Sequence, residues 1–275
     1  MDNLLFSVSM CVYRKDNPEH FREAVESILN QTLPPNEVVL VVDGPVPDAL
    51  ERVIHTYASN PVFHVIRLPV NQGHGNARRE GLANCKHELV ALMDADDISV
   101  PDRFEKQIAF FQSNPQLAIV GGNISEFVDR VDHIVGKRVV PQEDTDIKRY
   151  MRKRCPMNQM TVMLKKSCVD EAGGYADWYC NEDYYLWIRM AQKGFLFANI
   201  HQDLVNVRVG QEMYQRRGGW KYFKSEAKLQ KYMLQHKMIS FFKFCLNVSI
   251  RLVVQVLLPN KLRGWFFQKI AREKA

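Results

Sequence analysis

Three acidic residues follow a short apolar segment about a third of the way along the chain. Residues 89–93 are all apolar, as in a strand that is buried on both faces of a parallel sheet. Asp94, Asp96 and Asp97 come directly after this segment. Because open α/β sheets bind ligands at the carboxyl ends of their strands, we expect Asp94 and Asp96 to converge on one ligand. Carboxylates favour Mg²⁺ or Mn²⁺, which often bind together with the phosphates of a substrate. Capping of the next helix would explain only Asp97.

Two other strand ends carry signals of the same kind. Asp43 ends the predicted strand 37–42, and the turn that contains Asn71, Gly73 and Gly75 opens a helix whose N-terminus favours anions. Each signal is weak alone, because an Asp-Gly pair is a common turn and the glycines lack the full dinucleotide-binding pattern. Together they predict a nucleotide site. The chain lacks the lysine of a P-loop, which argues against an ATPase.

The elements that position these residues alternate between strand and helix four times before residue 115. This alternation predicts a parallel, Rossmann-like sheet. A β-ribbon, one more strand and a helix with an acidic start are predicted further along the chain. The predicted strands are 6–13, 37–42, 62–68, 89–94, 118–120 and 161–164, with a ribbon over 126–140, and the predicted helices are 18–31, 48–57, 76–84, 103–113 and 181–193.

Composition indicates an acidic body with a basic C-terminal part. The chain has 275 residues, 46% of them hydrophobic, which is enough for a large core. Residues 208–275 contain 15 Lys and Arg against 3 acids, whereas residues 1–207 contain 22 against 28. Six scattered cysteines without a C-x-x-C pair, and an N-terminus without a signal-peptide pattern, predict a reduced, cytoplasmic protein.

The motifs together resemble glycosyltransferase family 2 of the GT-A fold, especially the bacterial branch that builds surface polysaccharides. The resemblance spans residues 6–190 in family order. It implies a GT-A mixed, mostly parallel α/β sheet flanked by helices, a nucleotide-sugar donor with UDP as the expected nucleotide, a Mn²⁺ or Mg²⁺ ion, and inversion at the anomeric carbon. The segments that carry it are 8–13, 27–32, 39–44, 71–81, 93–97 and 181–189.

The resemblance also implies roles for individual residues. Asp96, with Asp94, would ligate the metal. Asp183 would be the base that takes the acceptor's proton, with Glu182 supporting the acceptor or the helix start. A favourable charge at a helix N-terminus is the alternative reading of these two acids. The residues implied to bind the nucleotide-sugar are Val12, Tyr13, Arg14, Asp43, Asn71, Gly73, Arg78, Asp94 and Ala95.

Three departures from the family pattern bear on the function. Val42 stands before Asp43 where the family often has two acids, and Arg79 stands where it often has Asn. Residues 215–220 resemble the Gln-x-x-Arg-Trp element of processive members only loosely. Because the sequence also predicts no bundle of membrane-spanning helices, we expect a non-processive enzyme that adds one sugar. Arg216 and Arg217 either reach the donor diphosphate or form a solvated basic turn.

The apolar residues 239–258 are predicted to form a helix at a membrane surface. Lys243, Asn247, Arg251 and Gln255 interrupt them every four residues, which predicts one polar stripe and is too polar for a spanning helix. The expected partner is anionic lipid on the cytoplasmic face of the inner membrane, and packing against the catalytic body is the alternative. We therefore expect a catalytic domain over 1–210, divided near 122 into nucleotide-sugar and acceptor halves, and an amphipathic extension over 211–275.

Three other functions compete with sugar transfer to a glycan or lipid-linked acceptor. A sugar nucleotidyltransferase would need a glycine-rich basic loop after its first strand, and residues 13–17 contain no glycine. A nucleic-acid-binding module would need a recognition helix or stacking aromatics, whereas residues 239–258 of the C-terminal part have a lipid-facing, mainly apolar composition. A non-catalytic nucleotide-sugar-binding protein would not need the complete set of acids.

Overall fold

The computed structural model of the protein describes residues 4–210 and 218–259, which form one mixed sheet with helices on both sides. The strands are β1 (Phe6–Val12), β2 (Glu37–Asp43), β3 (Phe63–Leu68), β4 (Leu89–Met93), β5 (Ile98–Ser99), β6 (Leu117–Phe127), β7 (Ile134–Arg138), β8 (Met163–Lys165) and β9 (Leu196–Arg208). The helices are α1 (Pro18–Leu29), α2 (Asp48–Ala58), α3 (His74–Asn84), α4 (Arg103–Ser113), α5 (Asp144–Met151), α6 (Lys166–Glu171), α7 (Glu182–Gln192), α8 (Gly219–Gln235) and α9 (Phe241–Leu252).

The first half of the sheet is parallel, as the alternating pattern predicts. Its order is β3, β2, β1, β4, with Val12 opposite Val42 and Met10 opposite Met93. Every residue of β2 and β4 is buried. Because neighbouring parallel strands end at the same edge, the acids that follow β2 and β4 come close together.

The second half contains antiparallel ladders and departs from the prediction at β6. β8 runs antiparallel between β4 and β6, and β7 pairs antiparallel with β6 in the predicted ribbon. The strand predicted over residues 118–120, closed by Gly121 and Gly122, instead continues to Phe127. A Cβ atom on Gly122 would lie 2.6 Å from Leu204 of the neighbouring β9, so this glycine allows close side-chain packing instead of ending the strand.

Helices α8 and α9 pack against the rest of the described chain. Leu229 and Met233 of α8 are buried in the same apolar cluster as Trp187 of α7. The polar stripe of residues 239–258 is present, but part of it faces the protein: Asn247 and Gln255 are buried. Within the described ranges, no helix is long and apolar enough to cross a membrane.

Candidate active site

The end of β4 places three acids in three different environments. Asp94 is half-buried, and its Oδ1 accepts a hydrogen bond from Arg78 Nη2. Asp96 is exposed. Asp97 is buried, and its Oδ1 accepts from the backbone N–H of Arg208 at 3.0 Å. Asp97 is therefore not a helix cap; its carboxylate ties the end of β4 to the end of β9.

A fourth carboxylate, Asp16, joins this cluster from the loop after β1, and the sequence patterns did not reveal it. Its Oδ2 accepts from the Tyr13 N–H at 2.8 Å. Burial, with the negative charges of Asp96 and Asp94, raises the pKa of Asp16 to about 7. Burial and the same two neighbours raise the pKa of Asp97 well above its ordinary value. This concentration of negative charge favours binding of a cation.

The arrangement fits a divalent cation whose coordination is completed by a ligand. Among the residues that the structure describes, no group of three or more His, Cys, Asp or Glu side chains could hold a metal by itself. Mg²⁺ commonly takes one or two carboxylates and fills its other positions with water and substrate phosphates. The exposed Asp96 beside the half-buried Asp94 offers such a set of oxygen ligands.

Asp43 organises the turn that leads into α3. Its carboxylate accepts from Asn71 Nδ2 at 2.9 Å, from the Gln72 N–H at 2.7 Å and from the Gly73 N–H at 3.1 Å. A carboxylate has about four acceptor positions, so these three bonds leave room for one further donor. Asp43 thus connects two of the predicted nucleotide-binding segments.

A chain of hydrogen bonds links the strand-end acids to the acidic start of α7. Arg78 is buried and donates from Nη2 to Asp94 and from Nε to His74 Nε2, 3.2 Å away. His74 Nδ1 lies 2.7 Å from Glu182 Oε1. Arginine always donates, so His74 Nε2 must accept, and Nδ1 is left to donate its proton to Glu182. The two acidic groups are therefore held in one network.

His74 was not singled out by the sequence, because α3 was predicted to start at residue 76. The helix instead begins at His74, with Gly73 before it at φ +86°. The next residue, Gly75, is buried against the loop before α7, where a Cβ atom would lie 2.9 Å from Ala176 O and 3.4 Å from Glu182 Cβ. The first turn of α3 therefore contacts the start of α7.

Replacing His74 by Ala is expected to slow the expected sugar transfer more than it weakens binding of the nucleotide-sugar donor. The variant leaves Glu182 without its charge-assisted partner, so we expect kcat to fall about tenfold or more. The donor dissociation constant should stay within about threefold of the native value. Steady-state kinetics and calorimetric donor titration measure both quantities. Arg79→Ala, one residue beyond Arg78 and exposed, is the control. Equal losses in the two variants would contradict the linking role of His74.

Asp183 has the environment of a general base. Its Oδ1 accepts from the Tyr184 N–H at 2.6 Å, and Cys155 Sγ lies 3.8 Å from its Oδ2. Burial, followed by the negative charge of Glu182, raises the pKa of Asp183 to about 6, against opposing effects of Arg138 and other groups. A base with a pKa near the working pH combines a useful ionised fraction with a strong tendency to accept a proton.

The start of α7 is also held by the C-terminal helices. Asn181 Nδ2 donates to Ser225 Oγ at 3.0 Å, and Ser225 Oγ donates to Tyr179 O at 2.6 Å. Trp178 stacks at a tilt on Tyr185, with ring centroids 4.4 Å apart. Helix α8 therefore directly supports the segment that presents Asp183.

The other predicted site residues lie along the same edge of the sheet or outside the described ranges. Val12 and Ala95 are buried, Tyr13 is half-buried and Arg14 is exposed. Arg216 and Arg217, predicted to reach the diphosphate, lie outside the described residues.

Two cationic residues near the acids were missed by the sequence patterns. Arg208 donates from Nε to Asp96 O at 3.2 Å and forms an ion pair with Glu23. Arg103 is fully buried beneath β4 and donates to Leu92 O at 2.9 Å. Both act on the backbone around the acids. Neither arginine stands out in the sequence, because α4 also contains Glu105 and Lys106 and β9 also contains Asp203.

Comparisons with known proteins agree on one family. The family model described as Glycosyl transferase family 2 matches residues 7–175. An uncharacterized glycosyltransferase of Haemophilus influenzae is 43% identical over 271 residues, which is 96% of this chain and 99% of the relative. The amylovoran biosynthesis glycosyltransferase AmsE of Erwinia amylovora is 36% identical over 265 residues, with 96% and 98% covered. The UDP-Gal:alpha-D-GlcNAc-diphosphoundecaprenol beta-1,3-galactosyltransferase of Escherichia coli is 36% identical over 272 residues, with 98% of each chain covered.

Solved structures share the fold at low sequence identity. Residues 1–349 of S. aureus TarS in complex with UDP-GlcNAc superpose with a TM-score of 0.67 at 16% identity, over 97% of this chain and 76% of that one. The mannosyltransferase PcManGT from Pyrobaculum calidifontis, in complex with GDP-Man and Mn²⁺, gives a TM-score of 0.64 at 14% identity, over 94% and 71%. These likenesses confirm the predicted GT-A fold.

Proposed function

This chain belongs to glycosyl transferase family 2, and we propose that it moves one sugar from a nucleotide-sugar, with UDP as the expected nucleotide, to a hydroxyl of a glycan or lipid-linked acceptor. The product would enter the biosynthesis of a surface polysaccharide. The observation that carries the proposal is the network that joins Asp94 at a strand end to Glu182, next to Asp183, through Arg78 and His74. With Asp94 in the donor site and Asp183 as the base, this network would connect the two sides of the reaction.

On the donor side, the proposal gives each predicted residue a part in binding the nucleotide-sugar. Val12 and Tyr13 line the pocket for the base, and Asp43 uses its remaining acceptor position for a base N–H. Asp94, fixed by Arg78, accepts from a hydroxyl of the ribose or of the donor sugar. The other proposed donor-binding residues are Arg14, Asn71, Gly73 and Ala95.

A divalent cation, Mn²⁺ or Mg²⁺, belongs to the proposal, with Asp96 and Asp94 as its protein ligands. When bound, it would stabilise the negative charge that develops on the leaving diphosphate. The residues around it keep the acids in place: Arg208 fixes the backbone of Asp96, and Arg78 orients Asp94. Solvent exposure of Asp96 leaves its carboxylate accessible to an incoming ion.

Asp183 is proposed to start the transfer as general base. Its carboxylate takes the proton of the acceptor hydroxyl while the hydroxyl oxygen attacks the anomeric carbon. The bond from that carbon to the diphosphate oxygen breaks, and the nucleoside diphosphate leaves with the bonding electron pair. Attack from the face opposite the leaving group inverts the anomeric configuration. A positioned base of this kind typically accelerates the reaction by about 10²–10⁴-fold.

The names of the relatives suggest the class of acceptor. One acts on a sugar attached to diphosphoundecaprenol, and another belongs to amylovoran biosynthesis. Both relatives match this chain over nearly its full length. We therefore propose a lipid-linked saccharide as the acceptor, which places the enzyme at the cytoplasmic surface of the membrane.

A two-step assay tests the proposed function. A thermal-shift screen of nucleotide-sugars with and without Mn²⁺ identifies the donor, because a ligand that binds only the folded state raises the melting temperature. Mass spectrometry then detects one added sugar on a lipid-linked saccharide. Release of pyrophosphate from UTP and a sugar phosphate would instead indicate a nucleotidyltransferase. Donor binding without turnover on any saccharide acceptor would indicate a non-catalytic binding protein.

A further inference from the structure

The outward face of α9 and the π-helical turn that follows it (Val253–Leu257) is apolar. Phe242 is 78% exposed and Leu246 is 49% exposed. Every exposed residue between 241 and 257 is uncharged, and the large apolar ones recur along one side of the helix. We call this surface the apolar face; its large side chains are Phe241, Phe242, Leu246, Ile250, Val253 and Leu257.

Three polar residues of α9 and the π-helical turn, Asn247, Arg251 and Gln255, face the protein. Asn247 Nδ2 donates to Gln230 Oε1 of α8 at 2.8 Å, and Arg251 pairs with the largely buried Glu226. Gln255 Nε2 lies 3.3 Å from Glu226 Oε2. A surface helix of a globular protein in water has the opposite arrangement, with its apolar side toward the core. The polar contacts fix the orientation of α9, so the apolar face cannot turn inward without breaking them.

Positive charge lies beside the apolar face. Asn247 Nδ2 also donates to Arg152 O at 3.0 Å, and Arg251 Nη2 donates to Lys153 O at 2.8 Å. These contacts place the exposed Arg152 and Lys153 next to α9. The chain continues beyond α9 with residues 260–275, which contain five Lys or Arg, one acid, and Trp265, Phe266 and Phe267. Apolar side chains bordered by cations match the interface of an anionic bilayer.

We propose that the apolar face docks on an anionic lipid surface and that this contact holds the start of α7, with Asp183, near the membrane. Only one part of this inference rests on the proposed function, namely that the acceptor is a lipid-linked saccharide. The segment beside α9 also leads to the proposed base. Arg152 and Lys153 contact α9, and Cys155, two residues after Lys153, places its Sγ 3.8 Å from Asp183 Oδ2. Docking therefore brings the base close to a saccharide that is attached to a lipid.

Flotation of the full chain tests the proposal directly. We expect the native protein to rise with phosphatidylcholine vesicles that contain phosphatidylglycerol, and to rise less with phosphatidylcholine alone or at high salt. Leu246→Glu should lower the bound fraction about tenfold, because the interface loses one apolar side chain and gains a negative charge that the anionic lipid repels. Leu5→Glu changes a similarly exposed leucine, 54% accessible, outside the apolar face, and should float like the native protein.

Flotation, the oligomeric state and activity on a water-soluble acceptor together distinguish docking on lipid from the alternatives. Native protein that stays at the bottom of the gradient overturns the proposal, and so does equal flotation of Leu246→Glu. A native dimer that Leu246→Glu converts to monomers without lipid would mean that a second copy covers the apolar face, which also overturns it. Transfer to a water-soluble acceptor should be unchanged in Leu246→Glu. If the native protein floats but transfers no sugar, the proposed function fails while the docking surface stands.

Discussion

Asp96→Asn is expected to abolish sugar transfer and to leave the fold intact. The substitution keeps the size of the side chain but removes the charge that would ligate the cation, so we expect kcat/KM to fall by at least about a thousandfold. Asp96 is exposed, and its charge raises the pKa values of Asp16 and Asp97. Its removal relieves repulsion, and the melting temperature should therefore stay the same or rise. Turnover assays and thermal unfolding measure the two effects.

Asp102→Asn is the matched control for this variant. Asp102 is a half-buried acid just before α4 that pairs with Lys106, and its loss should leave sugar transfer near the native rate. Mn²⁺ should raise the melting temperature of the native protein in the presence of UDP and should do so much less in Asp96→Asn. Full transfer in EDTA, or an active Asp96→Asn enzyme, would remove the metal from the mechanism.

The strand-end acids could be predicted because local patterns determine their position. β2 and β4 are continuously apolar and wholly buried, and their carboxyl ends meet at one edge of the sheet. The order of apolar segment and acid therefore located Asp43 and Asp94 without knowledge of the rest of the chain. The same reasoning could not find Asp16, because the chain after β1 has no pattern that reveals how its loop folds back.

The connections between distant segments could not be predicted. His74 reaches Glu182 across 108 positions of sequence, and Arg208 reaches Asp97 across 111. Each contact depends on how an entire helix or strand packs, and no short motif encodes it. The network that joins the two halves of the site is therefore a property of the fold.

The C-terminal helix shows a different limit of sequence reasoning. The four-residue spacing correctly predicts that Asn247, Arg251 and Gln255 share one side of a helix. Which side faces water depends on the partners that the helix meets. Glu226 and Gln230 of α8 supply buried polar partners, so the stripe faces the protein. The orientation could be known only once α8 was placed.

Asp183→Asn is expected to reduce kcat by at least about 10²-fold, the usual contribution of a positioned general base, with donor affinity nearly unchanged. The dependence of kcat/KM on pH should also report the ionisation of Asp183. The active form of Asp183 is the carboxylate, and its pKa is raised to about 6. Native kcat/KM should therefore fall as the pH decreases through about 6, by about tenfold per pH unit below it. The Asp183→Asn enzyme should lose this acid limb.

Glu182→Gln is the internal control, because it alters the neighbour and leaves the base. The charge of Glu182 contributes to raising the pKa of Asp183, so its removal should shift the acid limb toward lower pH. The loss in kcat should be smaller than that of Asp183→Asn. Turnover across pH and calorimetric donor titration distinguish the alternatives. If Asp183→Asn is active and Glu182→Gln is inactive, the two roles are reversed. If both variants lose donor binding, the acids at the start of α7 belong to the nucleotide site, and the base lies elsewhere.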